Sequence, residues 1–200
     1  GDWDKPYLTM DFAAEATIVA ELMKFAETGQ LYRGAKPVMW SPVEKTALAE
    51  AEIEYEDITS TQIDVAFEIV EAPNAPELVG AHAVIWTTTP WTIPVNQALA
   101  YGAEIDYVAL DLNGSRYLVA EQLIDSFVSR VHPGEVVWRG TGAQLAGAVA
   151  RHPMHHLGGF FAKPRPFLAG DFVTTDAGTG LVHMAPDHGE DDFELCKAHG

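Results

Sequence analysis

The chain is short of cysteine, of cationic side chains and of long apolar runs, and each shortage excludes something. A single cysteine, Cys196, rules out an internal disulfide and a thiolate cluster. It leaves a reducing, cytoplasmic location as the simplest expectation. Only 12 Lys and Arg stand against 29 Asp and Glu in 200 residues, for a formal net charge of −17. Non-specific affinity for a polyanion comes from many cationic contacts, so a general nucleic-acid binder is excluded. A small pocket that takes one end of a nucleic acid held elsewhere is not. No apolar run approaches the roughly 20 residues that cross a bilayer, and no basic-then-apolar leader opens the chain, so no membrane partner is expected. The phosphate-binding patterns GxGxxG and GxxxxGK[ST] are absent, although "GTG" occurs at 140–142 and 178–180.

What is present reads mainly as short strands. Residues 12–28 carry the strongest helical signal, with Ile18, Leu22 and Phe25 on one side, Asp11 placed to cap the start and Gly29 to stop it. From Asp64 onward "IDVAFEIV", "HAVIWTT", "DYVALDL" and "SRYLVA" are β-branched and aromatic, and Asn113-Gly114 is a hairpin turn. A short helix is expected at 121–130, then strands at "GEVVWRG" and near "GDFVTT", and a loop entering a helix at "HGEDDFELC". This pattern predicts a mostly β fold with small peripheral helices (α+β), closed or barrel-like, rather than a regular βαβ sheet. Residues 1–55 read as a connector and 56–200 as the domain core. The chain reads as a piece of something larger, and nothing in it demands more than a monomer.

Two stretches carry candidate chemistry. In "WTTTPWTIPVNQALA" (86–100), strand alternation puts Thr87 and Thr89 on one face and Thr88 on the other. Pro90 then stops the strand, Trp91 adds a rigid aromatic wall and Thr92 a fourth hydroxyl. Two readings stand side by side: strand termination with local backbone bonds, or the lip of a pocket lined by neutral donors and acceptors. In "GTGLVHMAPDHGEDDF" (178–193), the carboxylates Asp191 and Asp192 fall in the first turn of a helix, which the helix dipole alone favours. The functional alternative is that Asp192, near His183, recognises an ammonium group. His183, Asp187, His188 and Asp192 match no standard metal-ligand spacing.

Other clusters read as structural. "RHPMHH" (151–156) reads as a surface loop, Trp3, Trp40 and Trp138 as packing residues, and Cys196 as buried rather than nucleophilic. No Ser-His-Asp order or paired catalytic acid is evident. A labile ester needs less help than an amide, because one positioned water and a stabilised oxyanion can carry most of the rate.

Taken together, the two motifs resemble the paired signatures of the editing domain inserted in class I isoleucyl-tRNA synthetases. "GDWDKPYLTMDF" and "GAKPVMWSPVEKTALAEAEIEY" resemble the segment leading from the synthetic core into that insertion. The related inserts for valine and leucine carry an Arg before the proline, as "TTRP"; here three threonines run directly into Pro90. Met184 and Asp187 occupy positions where other members carry smaller or neutral residues. The "HIGH" and "KMSKS" motifs of the synthetic site are absent.

The resemblance implies hydrolysis of the ester of mischarged valyl-tRNA(Ile). One methylene gives only about 150-fold discrimination, a figure that belongs to isoleucyl-tRNA synthetases choosing isoleucine over valine in general, so a second sieve is needed. The resemblance also implies that Thr87, Thr88, Thr89 and Thr92 bind substrate or position water, that Trp91 and His183 shape the side-chain pocket, and that Asp192 pairs with the α-ammonium. The implied partners are the 3′ end of tRNA(Ile) carrying valine and the rest of the synthetase in cis. No cofactor or metal is implied for this domain, with ATP, Mg2+ and Zn2+ belonging only to the full-length enzyme. The rival class is a non-catalytic module that binds a tRNA 3′ end or a small ammonium-bearing ligand. The editing function requires the threonine turn and the acidic helix entrance to form opposite walls of one cavity.

Overall fold

A computed structural model describes all 200 residues, and the chain divides into two compact units, Gly1–Lys36 and Pro37–Gly200. The first unit is built on α1 (Phe12–Glu27), which Gly29 ends at φ +74 as expected. The expected Asp11 side-chain cap is absent: Asp11 holds the N-cap position with extended backbone, and its carbonyl accepts from Glu15 N–H at 2.9 Å. No residue of α1 is buried; Ile18, Leu22 and Phe25 are each about half exposed.

The second unit begins with a small hairpin, β1 (Trp40–Ser41) and β2 (Thr46–Ala47). A nine-stranded mixed sheet follows, formed by β3 (Ile63–Glu71), β4 (His82–Thr87), β5 (Ala98–Tyr101), β6 (Asp106–Leu112), β7 (Ser115–Ala120), β8 (Glu135–Thr141), β9 (Val149–Arg151), β10 (Pro164–Ala169) and β11 (Leu181–Met184). Its order is β11-β5-β10-β9-β3-β4-β7-β6-β8. Two pairs, β4 with β7 and β5 with β10, are parallel, and the others are antiparallel. The hairpin between β6 and β7 turns at Asn113 (φ 58) and Gly114 (φ 88), a conformation that matches the twist of the strands it joins. The expected helix at 121–130 forms as a 3-10 turn, Glu121–Leu123, running into α2 (Ile124–Arg130). A last helix, α3 (Glu190–Ala198), closes the chain.

The mostly β expectation holds, but the sheet is open, with β11 and β8 at its ends, and not a closed barrel. It folds back on itself through the residues just before β11. Thr179 Oγ1 donates to Val84 O at 2.5 Å, Ala120 N–H to Thr179 O at 2.7 Å, and the Tyr107 hydroxyl to Gly180 O at 2.6 Å. These bonds occupy polar groups that ladder closure would otherwise satisfy. Gly180, at φ +76, lies so close to Ala120 that a side chain there would collide with it. The interior holds Phe67, Ile69, Ile85, Leu99, Leu118 and Leu145, all fully buried. Every residue of β5 is buried, because Leu99 and Tyr101 pack into the main core on one face while Ala98 and Ala100 pack into a second apolar cluster on the other.

Three further expectations are corrected. The strand placed near "GDFVTT" lies earlier, at Pro164–Ala169, where β10 pairs with β9 through Pro166 and with β5 only from Phe167 onward. Proline is tolerated there because the ladder to β5 has not yet begun. His152 belongs to no surface loop; it is fully buried between Phe67 and Phe161, while His155 and His156 are exposed. Trp3 and Trp40 are 91% and 58% exposed and do not pack as expected, whereas Trp138 does pack against the core.

Candidate functional site

Strand β4 ends at Thr87, and the chain then tightens into a 3-10 helix, Pro90–Val95, with Thr89 at its N-cap. Pro90 has no N–H to satisfy at the first helical position, so the turn starts there without losing a hydrogen bond. Alternation puts Thr87 and Thr89 side by side: their hydroxyls are 3.0 Å apart, and Thr87 Oγ1 also accepts from Thr89 N–H at 3.0 Å. Thr89 Oγ1 lies 3.4 Å from Thr92 Oγ1, which donates to Thr89 O at 2.8 Å. Strand termination and a polar cluster are therefore the same structure seen from two sides.

The cluster reaches the second motif through β11. Pairing of His183 with Leu99 of β5 fixes the backbone, and His183 Nε2 comes 2.8 Å from Thr92 Oγ1. On the other side of the ring, Asn96 Nδ2 is 3.4 Å from His183 Nδ1 and donates to Ala98 O at 2.8 Å. Thr92 gives its only proton to Thr89 O, and the Asn96 amide nitrogen can only donate. One tautomer satisfies every contact: Nε2 carries the proton and Nδ1 accepts. The imidazole is buried, and burial, with His188 and His152 nearby, pushes its pKa down to about 4. At neutral pH it carries no charge that would repel a cation.

Asn96 is fully buried, and its Oδ1 has no hydrogen-bond partner, so an acceptor is left inside the cluster. An unmet buried acceptor costs about 1–3 kcal/mol until a donor reaches it. Asn96 lies within the threonine motif, yet the sequence alone assigns it no role. Its amide follows no periodicity, and only the fold aims it at His183.

Asp192 stands on α3 at the third helical position, with Gly189 as N-cap. Its Oδ2 accepts from Ala185 N–H at 2.7 Å, tying the helix to the end of β11 two residues beyond His183. A side chain at position 189 would come within 2.9 Å of the Asp192 carboxyl carbon, so glycine there keeps the carboxylate seated. Burial raises the Asp192 pKa, the Ala185 amide opposes that, and Asp191 adds to it.

The structure thus joins Thr87, Thr89, Thr92, His183 and Asn96 in one hydrogen-bonded chain. Asp192 attaches to the same strand, but it shares no hydrogen bond with the threonines. Thr88 is exposed, its carbonyl accepting from Ser60 Oγ at 2.9 Å, and Trp91 is 66% exposed. Asp187 faces solvent and Met184 is wholly buried in the core, so neither competes for a ligand of Asp192. Beside the start of α3 lies a cleft of about 520 Å³ lined by Pro37, Val38, Met39, Trp40, Asp187, His188, Gly189 and Glu190. The Cys196 thiol is half-buried, and burial raises its pKa, as expected of a packing residue. No group of three or more His, Cys, Asp or Glu is arranged to hold a metal ion.

The family described as tRNA synthetases class I (I, L, M and V) matches residues 1–177. The chain belongs to that family. Within the class I synthetases it is 66% identical over 202 residues to the isoleucine–tRNA ligase of Zymomonas mobilis subsp. mobilis, covering 100% of this chain and 21% of that protein. It is 54% identical over 212 residues to the isoleucine–tRNA ligase of Gluconobacter oxydans, covering 100% of this chain and 22% of that protein. The chain spans about a fifth of the length of these relatives. The crystal structure of GlLeuRS-CP1 superimposes with a TM-score of 0.59 at 17% identity, over 68% of this chain and 59% of that one, which shows a shared fold. The resemblance to isoleucyl-tRNA synthetases read from the two motifs is therefore borne out.

Proposed function

We propose that this chain is the editing module of an isoleucyl-tRNA synthetase and hydrolyses the ester of valyl-tRNA(Ile). The observation that carries the reading is the chain of neutral polar groups Thr87, Thr89, Thr92, His183 and Asn96, set on a fold shared with a CP1 structure. An ester and its attacking water need donors and acceptors held in fixed geometry, and hydroxyls supply these without charge at neutral pH. Thr87, Thr89 and Thr92 hold the aminoacyl ester or its water, and Thr88 meets the substrate from the exposed side. The buried, tautomer-fixed His183 ring forms a stiff wall that admits valine and clashes with the extra methylene of isoleucine. Trp91, open to solvent, folds over the entering side chain.

Asp192 answers the α-ammonium of the aminoacyl group. Its Oδ2 already serves Ala185, so the ammonium is met by Oδ1 and by the charge of the whole carboxylate. The neutrality of His183 matters here, because a cation in the wall against the valyl side chain would repel the same ammonium. The net charge of −17 fits a module that receives only the 3′ end of a tRNA whose remainder is gripped by the synthetase in cis. The reading gives this chain no cofactor of its own and assigns ATP, Mg2+ and Zn2+ to the synthetic part of the complete cytoplasmic enzyme.

The test is deacylation of valyl-tRNA(Ile) and of isoleucyl-tRNA(Ile) by the complete protein. Hydrolysis of the first with sparing of the second is expected; binding of both without turnover would favour a capture module.

A further inference from the structure

We infer that His152 is a positioning residue for the threonine and imidazole cluster, acting through the carbonyl of Ile93. That this positioning serves ester hydrolysis rests on the function proposed above; the positioning itself does not. His152 follows the end of β9, is fully buried, and lies edge-on to Phe67 with ring centroids 5.7 Å apart and 5.2 Å from the ring of Phe161. Two apolar rings and a covered backbone would suit a leucine equally well. Instead both ring nitrogens are used. Met154 N–H donates to Nδ1 at 3.0 Å, which leaves the proton on Nε2, and Nε2 donates to Ile93 O at 2.9 Å. The backbone amide thus fixes the tautomer that the turn requires.

Ile93 O is a junction. It also accepts from Asn96 N–H at 3.0 Å, and Asn96 is the residue whose amide meets His183 Nδ1. Ile93 directly follows Thr92, whose hydroxyl meets His183 Nε2. Both partners of the His183 ring therefore hang from the short segment that His152 holds from behind. That segment needs outside support, since it is one 3-10 helix with prolines at 90 and 94, neither of which offers a backbone N–H. Arg165 is near enough to act on the His152 ring through its charge; it is 1% exposed and donates to Lys163 O at 2.6 Å and Phe160 O at 3.0 Å. The burial of the ring and this fixed cation both lower the His152 pKa, which keeps the ring neutral.

The geometry gives two informative substitutions, because a shorter and a longer amide replace different ring nitrogens. His152→Asn can replace Nδ1 and keep the bond to Met154, but cannot reach Ile93. His152→Gln can replace Nε2 and keep the bond to Ile93. In the complete protein, His152→Asn is expected to lower kcat for valyl-tRNA(Ile) deacylation by about tenfold at nearly unchanged KM, as a misplacement near the reacting atoms does, while His152→Gln stays within about threefold of wild type. The 15N spectrum of the His183 ring gives a readout independent of hydrolysis. Its single Nε2–H tautomer is expected to persist in the Gln variant and to become mixed in the Asn variant. Asn and Gln variants alike in both readouts would overturn the inference. If the wild type hydrolyses no valyl-tRNA, the His183 spectrum still decides it. If neither variant folds, the 15N spectrum of His152 in the wild type decides: a protonated Nε2 beside an unprotonated Nδ1 supports the inference, and the opposite tautomer overturns it.

Discussion

Protonating His183 should destabilise the fold by an amount its surroundings set. The ring is buried and its Nδ1 faces the Asn96 amide, so the proton that arrives below the ordinary pKa of 6.5 finds no acceptor, and the pKa falls to about 4. A group whose pKa is depressed by folding contributes stability that is fully present above its unfolded value and is lost as pH falls. Above pH 6.5 both states hold a neutral ring. Between 6.5 and about 4 the unfolded chain takes up a proton that the folded chain refuses, and stability falls by up to about 1.4 kcal/mol per pH unit. From pH 7 to about pH 4.5 the loss attributable to this ring is about 2.5 kcal/mol.

Carboxylates titrate in the same range, so the comparison must be with His183→Gln, which cannot charge. Urea unfolding of both proteins across that window should give curves that diverge by about 2.5 kcal/mol, wild type falling faster. A 15N titration of the ring should find it neutral at about pH 5. Parallel stability curves, or a ring that titrates near its ordinary value, would refute the assignment of a buried, singly protonated imidazole and remove the basis for a neutral pocket wall.

Further outcomes follow from the same contacts. On the proposed editing function, His183→Ala should extend hydrolysis to isoleucyl-tRNA(Ile) and lower the expected preference for valine by about tenfold or more in paired deacylation assays; unchanged selectivity removes His183 from the sieve. Asp192→Asn keeps an acceptor for Ala185 N–H while deleting the charge, so it should retain the thermal midpoint and lose most deacylation, whereas Asp192→Ala should lose both. Thr92→Val keeps shape but strands His183 Nε2–H, while Thr89 O keeps its bond from the Thr92 backbone N–H; the loss should cost about 1–3 kcal/mol in urea unfolding. Tyr107→Phe removes the donor to Gly180 O and should cost a similar amount, about 1–3 kcal/mol, through the segment that folds the sheet back on itself.

Local chemistry made much of this legible. β-Branched alternation marked β3, β4, β6 and β7, and Asn113-Gly114 marked their tightest turn. What was illegible depended on partners distant in sequence. Pro164 and Pro166 hid β10, which is held by switching neighbours from β9 to β5. The parallel pairing of β4 with β7, His82 opposite Tyr117 and Ala83 opposite Leu118, has no local sequence signature.

The same contrast runs through the site. The hydroxyl spacing of Thr87, Thr89 and Thr92 was readable because it follows from strand and turn geometry. His152 was hidden because three histidines around a proline look like solvent-facing loop, and only packing between Phe67 and Phe161 buries it. Asn96 gave no signal until β11 brought His183 beside it. The rigidity of Trp91 was readable from its residue type, whereas its exposure on the 3-10 helix follows only from the fold.

A crystal structure of the protein with a non-hydrolysable valyl-adenosine analogue would decide whether the threonine cluster and Asp192 serve one substrate. The α-ammonium is predicted within hydrogen-bonding distance of Asp192, the valyl side chain against the His183 ring, and the ester linkage facing the hydroxyls of Thr87, Thr89 and Thr92. An analogue seated only in the cleft between Pro37–Trp40 and the start of α3, away from His183 and the threonines, would contradict that arrangement.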